Sequence, residues 1–97
     1  MNAHELKLKI EAEYWWDLTD FEKLVRNEWE RLVAIAIISE HPSDDAGYME
    51  IVEYEQDCNH AEITLIECDE AKHELAQTLT PEQVKEAKLL AKLILEI

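Results

Sequence analysis

The order of apolar and polar residues along this 97-residue chain predicts several regular elements. Near the N-terminus, apolar and charged residues alternate over residues 6–14, and this period of two predicts a half-buried strand. A helix over residues 5–14 is the alternative, because Leu6, Ile10 and Tyr14 are also four residues apart. Asn2 and Glu5 would cap such a helix. The pattern alone leaves both structures open for this segment.

Two helices are predicted by their capping residues. Thr19 followed by Glu22 forms a capping box, and helical spacing of apolar residues continues to about Ser39. The second half of this helix, residues 32–38, is apolar on all sides, which predicts the most buried element of the fold. Pro42 and residues 43–47 then form a loop. Thr80 with Pro81 at the first helical position opens a C-terminal helix.

The segment between these helices predicts a β-hairpin. Residues 48–55 and 61–68 are rich in Ile, Val, Tyr and Thr, and residues 56–60 form a short polar connection. A short helix is predicted over residues 69–77. The order β–α–β–β–α–α therefore predicts a single acidic α+β domain over residues 1–97. Its small antiparallel sheet of about three strands would carry helices on one face.

Charge is distributed unevenly along the chain. The net charge is −14, yet residues 32–71 contain eleven carboxylates and no Lys or Arg. Seven of these carboxylates lie within residues 39–57. Repulsion among so many carboxylates lowers folding stability, so their concentration in one segment needs an explanation. Solubility is one explanation and a basic partner is the other. Direct binding to nucleic acid is disfavoured, because phosphates require Lys and Arg.

Few features of the sequence indicate an enzyme active site or a metal site. The pairs Cys58/His60 and Cys68/His73 match no zinc-ligand spacing, and a single glycine rules out a glycine-rich phosphate loop. We therefore expect no catalytic residues, no metal and no cofactor. The longest apolar run is seven residues, and the N-terminus lacks the apolar core of a signal peptide. We expect a soluble cytoplasmic protein with reduced thiols and no membrane contact.

Carboxylates on a strand would be spaced much like phosphates. Glu53 and Glu55 would lie on one face, roughly 6.6 Å apart, and two steps along a DNA strand rise about 6.8 Å. The hypothesis is that this region imitates nucleic acid, with tyrosines adding apolar contact. The candidate partner-binding residues are Asp44, Asp45, Glu50, Glu53, Glu55, Asp57, Glu62, Glu67, Asp69, Glu70, Tyr48 and Tyr54.

Adjacent tryptophans precede the Thr19 helix. We expect Trp15 and Trp16 to be partly buried where the first element meets that helix. An exposed one would be a candidate anchor for a partner, because Trp is favoured in binding hot spots.

Residues 39–57, SEHPSDDAGYMEIVEYEQD, and the basic-free span around them carry a resemblance to a known group of proteins. In length, acidity, scarcity of Gly and lack of catalytic residues, the chain resembles the small phage-encoded anti-CRISPR proteins. It is most similar to those that mimic DNA and block the type I-F surveillance complex at its duplex-recognition surface. The resemblance is one of overall character and transfers no individual residue role. It implies a viral inhibitor without a cofactor that competes with target DNA for Lys and Arg of the complex.

Two other functions are compatible with the same composition. An acidic immunity or antitoxin-type protein would neutralise a basic nuclease by covering its active site or a neighbouring surface. A non-catalytic homo-oligomeric module would use the broad apolar face of the C-terminal helix and an exposed Trp, with charge serving solubility alone.

Overall fold

Four α-helices form the fold in a computed structural model that describes residues 2–97. They are α1 (Ala3–Ala12), α2 (Asp20–Ser39), α3 (Tyr48–Ala76) and α4 (Pro81–Glu96). A single 3-10 turn, Trp15–Asp17, lies between α1 and α2. No strand occurs within the described residues. The predicted α+β fold with a three-stranded sheet is therefore wrong, and the described residues form an all-helical fold.

The N-terminal segment is a helix and not the predicted strand. The side chain of Asn2 accepts a hydrogen bond from the backbone N–H of Glu5 at 2.9 Å, as the alternative interpretation requires. Leu6 and Ile10 are the buried residues of α1 and lie one helical turn apart. The alternation is misleading because Leu8, an even-numbered apolar residue like Leu6 and Ile10, is exposed on the opposite side of the helix.

The predicted hairpin and the short helix after it are a single helix, α3, of 29 residues. No Gly or Pro occurs between Tyr48 and Ala76. The supposed turn at residues 56–60 therefore contains no residue that interrupts a helix. Ala61 and Cys68, seven residues apart, are its buried residues. This spacing places both on one side of the helix, and tertiary packing overrides the weak strand preference of Ile, Val and Tyr.

The helices predicted from capping residues are confirmed. Thr19 accepts from the backbone N–H of Glu22 at 3.2 Å, and Glu22 accepts from that of Thr19 at 2.9 Å. Thr80 and Gln83 form the same reciprocal pair at the start of α4. The predicted loop is also present, because residues 40–47 connect α2 to α3.

Helix α2 is the centre of the molecule. It packs against α3 on one side and against α4 and α1 on the other, whereas α3 has its main packing with α2 alone. The hydrophobic core lies between α1, α2 and α4, and its buried members are Leu6, Ile10, Leu18, Leu24, Val25, Ala87 and Ile94. The molecule is elongated, 46 × 26 × 23 Å in extent, because α3 is longer than its neighbours.

The prediction that residues 32–38 form the most buried element is wrong. Only Ala34 is buried in that half of α2, and Ile35 is 37% exposed. The first half holds the buried residues Leu24 and Val25, which belong to the core that α2 shares with α1 and α4. An apolar surface is therefore left beside the C-terminal half of α2.

A partly buried ion pair ties α1 to α2 and makes stability depend on pH. Lys9 Nζ lies 2.6 Å from Glu22 Oε2. Burial alone would raise the pKa of Glu22, but the hydrogen bonds from Lys9 and Thr19 outweigh it and leave this pKa below the usual 4.5. The hydrogen bond with Glu22 raises the pKa of Lys9 above 10.5, against the opposing effect of burial.

We expect Glu22→Gln to lower the free energy of unfolding by an amount that depends on pH. The stabilisation from a lowered Glu pKa is present above about pH 4.5 and is lost as pH falls through the folded-state pKa. The contribution of Lys9 is complete below about pH 10.5 and is lost as pH rises through its raised pKa. Urea titrations of both proteins should give a constant difference near neutral pH that shrinks at each extreme. A difference independent of pH would contradict this account.

Candidate acidic binding surfaces

Most of the net charge is carried by α3 and the loop before it. Helix α3 contains nine carboxylates and one Lys, for a charge of −8, and the loop at residues 40–47 adds −3. By the same count α1 and α4 are neutral, and α2 has a charge of −1. The charge asymmetry expected from the sequence is thus present, and it is concentrated on one long helix.

The candidate residues do not form the expected row along a strand. Asp44 and Asp45 are exposed in the loop, and the other ten candidates lie on α3. Residues two apart on a helix point to different sides. Glu53 and Glu55 are therefore separated, and the idea that they share one face is wrong. The carboxylates are divided between a groove and the outer surface of α3.

The first surface is an acidic cavity where the loop meets α3. It has a volume of about 270 Å³. Glu50, Glu53 and Asp57 reach it from α3, because residues three and four apart share a helix face. Glu40 reaches it from the C-terminal cap of α2. The lining residues are Ile37, Glu40, Pro42, Glu50, Glu53, Tyr54 and Asp57.

A second cavity continues along the boundary between α2 and α3. Its volume is about 530 Å³, and Ile37 lines both cavities. Its lining residues are Trp29, Glu30, Val33, Ala34, Ile37, His60, Ala61, Thr64 and Glu67. We call the two cavities together the α2–α3 groove. It has an apolar floor and carboxylates at both ends, and no Lys or Arg of residues 2–97 lines it.

The opposite side of α3 carries the second surface. Glu55, Glu62 and Glu70 are exposed and follow one another at intervals of seven and eight residues, which keeps them on one side of the helix. We call these three residues the outer row. Ile63 and Ile66 lie between them and are 55% and 61% exposed. This face therefore combines carboxylates with unpacked apolar side chains.

The remaining acidic candidates have separate positions. Glu67 lines the far end of the groove. Asp69 lies 4.0 Å from Arg31 Nε of α2, so part of its charge is compensated within the molecule. Tyr48 is 79% exposed at the start of α3 and is free to contact a partner.

Tyr54 holds the acidic end of the groove together. Its hydroxyl donates to the backbone carbonyl of Ile38 at 2.6 Å and lies 2.9 Å from His41 Nδ1. The neighbouring Cys58 thiol, together with burial, raises the pKa of Tyr54 above 10.0. Tyr54 thus joins α3 to the end of α2 and is a structural residue of the site as well as part of its lining.

Buried polar contacts fix the register between α2 and α3. The Asn27 side chain donates to the backbone carbonyl of Cys68 at 2.9 Å. The buried Glu28 carboxylate lies 3.3 Å from Lys72 Nζ and 3.8 Å from Arg31 Nη1. Because a buried charge without its partner is costly, these contacts hold one alignment of the two helices and hence the shape of the groove.

The sequence pattern does not reveal the contribution of α2 to the groove. Glu40 lies in the acidic segment but is not among the predicted binding residues, and the apolar pattern of α2 predicts core positions for Trp29, Val33 and Ile37. Their helical spacing of four residues could have identified a shared face. The exposure of that face is set by tertiary packing, which no local pattern indicates.

The two tryptophans have different environments. Trp15 is half-buried, with Lys23 Nζ 5.7 Å and Arg26 Cζ 5.9 Å from its ring centroid. Trp16 is 73% exposed and stacks on Tyr14 with 5.0 Å between ring centroids. The expectation that both are partly buried is therefore wrong for Trp16, which is an exposed aromatic residue available to a partner.

The two cysteines, with His60 and His73, are spread around α3. Cys58 and His60 are two residues apart on a helix and so point to different sides. Burial, reinforced by the nearby carboxylates Glu30 and Asp69, raises the pKa of the Cys68 thiol to about 11. Cys68 is therefore protonated at neutral pH. Within residues 2–97, no three His, Cys, Asp or Glu side chains are grouped as metal ligands.

Comparison with protein-family models, curated proteins and solved structures finds no match to this chain. None of the helices in residues 2–97 has the length and apolar character needed to span a membrane.

Proposed function

We propose that this protein is a non-catalytic inhibitor of a nucleic-acid-binding complex. As a DNA mimic, it would occupy the basic DNA-recognition groove of a CRISPR surveillance complex of the type I-F kind. It would act in the cytoplasm of the host cell, and its partners are basic protein subunits rather than nucleic acid. The observation that carries the proposal is the charge of −11 on α3 and the preceding loop, beside three nearly neutral helices.

The dimensions of α3 support this mode of action. Twenty-nine helical residues extend about 43 Å, which corresponds to roughly 13 base pairs of duplex. With a charge of −8, the helix carries one net negative charge about every 5 Å, compared with about 3.4 Å for one strand of DNA. A duplex carries one negative charge per about 1.7 Å of its axis, so a basic groove that follows a duplex would meet a line of charge of the same sign at about a third of that density.

Exposed apolar residues on α3 favour binding over solubility alone. Solubility requires charge but not exposed isoleucines, and Ile63 and Ile66 lie beside the outer row. In a protein interface, apolar side chains beside a polar rim provide contact that does not depend on salt.

We expect the purified protein to compete with duplex DNA for a type I-F surveillance complex. The competition should weaken by orders of magnitude between about 50 and 200 mM salt if several ion pairs form. Fluorescence anisotropy of labelled DNA measures the competition, with an unlabelled duplex as the reference competitor. An affinity independent of salt, or no competition at low salt, would contradict the proposal.

Pull-down from cells tests the immunity-protein alternative. A multisubunit complex that contains RNA supports the proposed function. Recovery of a single basic nuclease would replace it with the alternative.

A further inference from the structure

We infer that the α2–α3 groove binds a basic amphipathic helix of a partner protein. This inference deepens the proposed function, on which it rests for the basic character of the partner. It concerns a surface separate from the outer row, because the groove lies between two helices and the outer row faces solvent.

The chemistry of the groove defines its occupant. The floor is apolar, formed by Val33, Ala34, Ile37 and Ala61. Glu53 and Asp57 lie at one end and Glu67 lies at the other. A complementary segment therefore needs apolar side chains in its middle and Lys or Arg near both ends.

The length and shape of the groove favour a helix over an extended strand. From Glu50 to Glu67 the groove follows α3 for about 26 Å, which is the length of a helix of about 17 residues. A trough between two neighbouring helices accommodates a third helix by placing its apolar face on the floor, which is a common mode of peptide recognition. An extended strand would need an exposed sheet edge, and residues 2–97 contain no sheet.

A second copy of this chain is a poorer occupant. The exposed face of α4 has Leu89 and Leu93, but Glu82 and Glu86 are also exposed on this helix, and its net charge is zero. A helix without net positive charge does not complement the carboxylates of the groove. Each copy also has a charge of −14, which opposes association at low salt.

The test uses the whole protein and a synthetic helical probe. The probe is an alanine-based peptide of about 17 residues with leucines three and four positions apart and lysines near both ends. We expect binding that shifts the backbone NMR signals of residues lining the groove and changes the fluorescence of Trp29. A matched peptide with Glu in place of Lys should not bind.

Variants locate the binding site. Replacing Glu50 and Glu53 by Gln and Asp57 by Asn should weaken peptide binding about tenfold, because three ion pairs of modest energy are lost. Thr64→Trp should weaken peptide binding to a similar degree, because the larger side chain would block the apolar floor. The matched control replaces Glu11, Glu86 and Glu96 by Gln. It changes net charge equally at exposed sites outside the groove and should leave binding unchanged.

Each outcome decides the inference. The inference is supported if NMR shifts are confined to the groove and peptide binding is lost in both groove variants but not in the control. Four results would overturn the inference. They are equal losses of peptide affinity in the groove and control variants, NMR shifts spread along the outer row, no peptide binding, and a dimer that buries the groove at micromolar concentration. DNA competition by the wild-type protein is measured separately, so failure of the peptide to bind leaves the proposed function open to its own test.

Discussion

Reversing the charges of the outer row should weaken binding to a basic partner about a thousandfold at low salt. Glu55, Glu62 and Glu70 would each be replaced by Lys. An exposed ion pair contributes up to about 1 kcal/mol, and reversal converts attraction into repulsion, so three sites change the binding free energy by roughly 4 kcal/mol. Anisotropy competition on the surveillance complex measures the loss. The three residues are exposed and form no ion pair within residues 2–97, so folding should be retained.

A charge-matched control makes this result interpretable. Glu11, Glu86 and Glu96 are exposed residues of α1 and α4, and their replacement by Lys gives the same net charge as reversal of the outer row. The control should lose much less affinity, because its new charges lie outside the proposed contact surface. Equal losses in the two variants would show that only total charge matters and would count against a shaped anionic surface.

Leu24→Ala should destabilise the fold strongly. Leu24 is fully buried in α2, where α1, α2 and α4 form the core. Removing a buried leucine side chain typically costs about 3 kcal/mol, a large share of the roughly 5–10 kcal/mol expected for a domain of this size. The midpoint of thermal unfolding should fall by more than about 10 °C. Circular dichroism at 222 nm follows the transition.

The matched control for this truncation is Ile63→Ala on α3. Ile63 is more than half exposed, so its removal should change stability by less than about 0.5 kcal/mol. A large loss of stability in this variant would show that Ile63 is a packing residue, and it would remove one reason for assigning the outer face of α3 to binding.

The parts of the fold that are predictable from the sequence have local causes. Thr19 with Glu22 and Thr80 with Gln83 mark helix starts by short-range hydrogen bonds, which require nothing from the rest of the chain. The loop before α3 is similarly marked by Pro42 and Gly47. These signals are sufficient to place α2, the loop and α4.

The sheet prediction fails because it gives side-chain preference too much weight. Ile, Val and Tyr favour strands only weakly, and the environment decides between strand and helix. Residues 48–76 contain no helix breaker, and the seven-residue spacing of Ala61 and Cys68 fits a helix packed on α2. The prediction for the burial of α2 fails for a different reason, because that burial depends on which helices pack against each half of α2 and hence on tertiary structure.

The candidate site is predictable in composition but not in geometry. The absence of Lys and Arg over residues 32–71 is visible in the sequence and holds for any secondary structure. The assignment of each carboxylate to a face depends on whether the chain repeats every 2 or every 3.6 residues. The wrong period groups Glu53 with Glu55, although one lines the groove and the other belongs to the outer row.

The confinement of net charge to α3 and its loop affects how the molecule approaches a partner. Because the other three helices are nearly neutral, the negative charge of the protein is displaced toward α3 and its loop, which gives the molecule an electric dipole. A basic surface exerts a torque on such a dipole at distances up to about a Debye length, roughly 10 Å at moderate salt. Collisions therefore begin with α3 already turned toward the partner, and a larger share of them can lead directly to a complex.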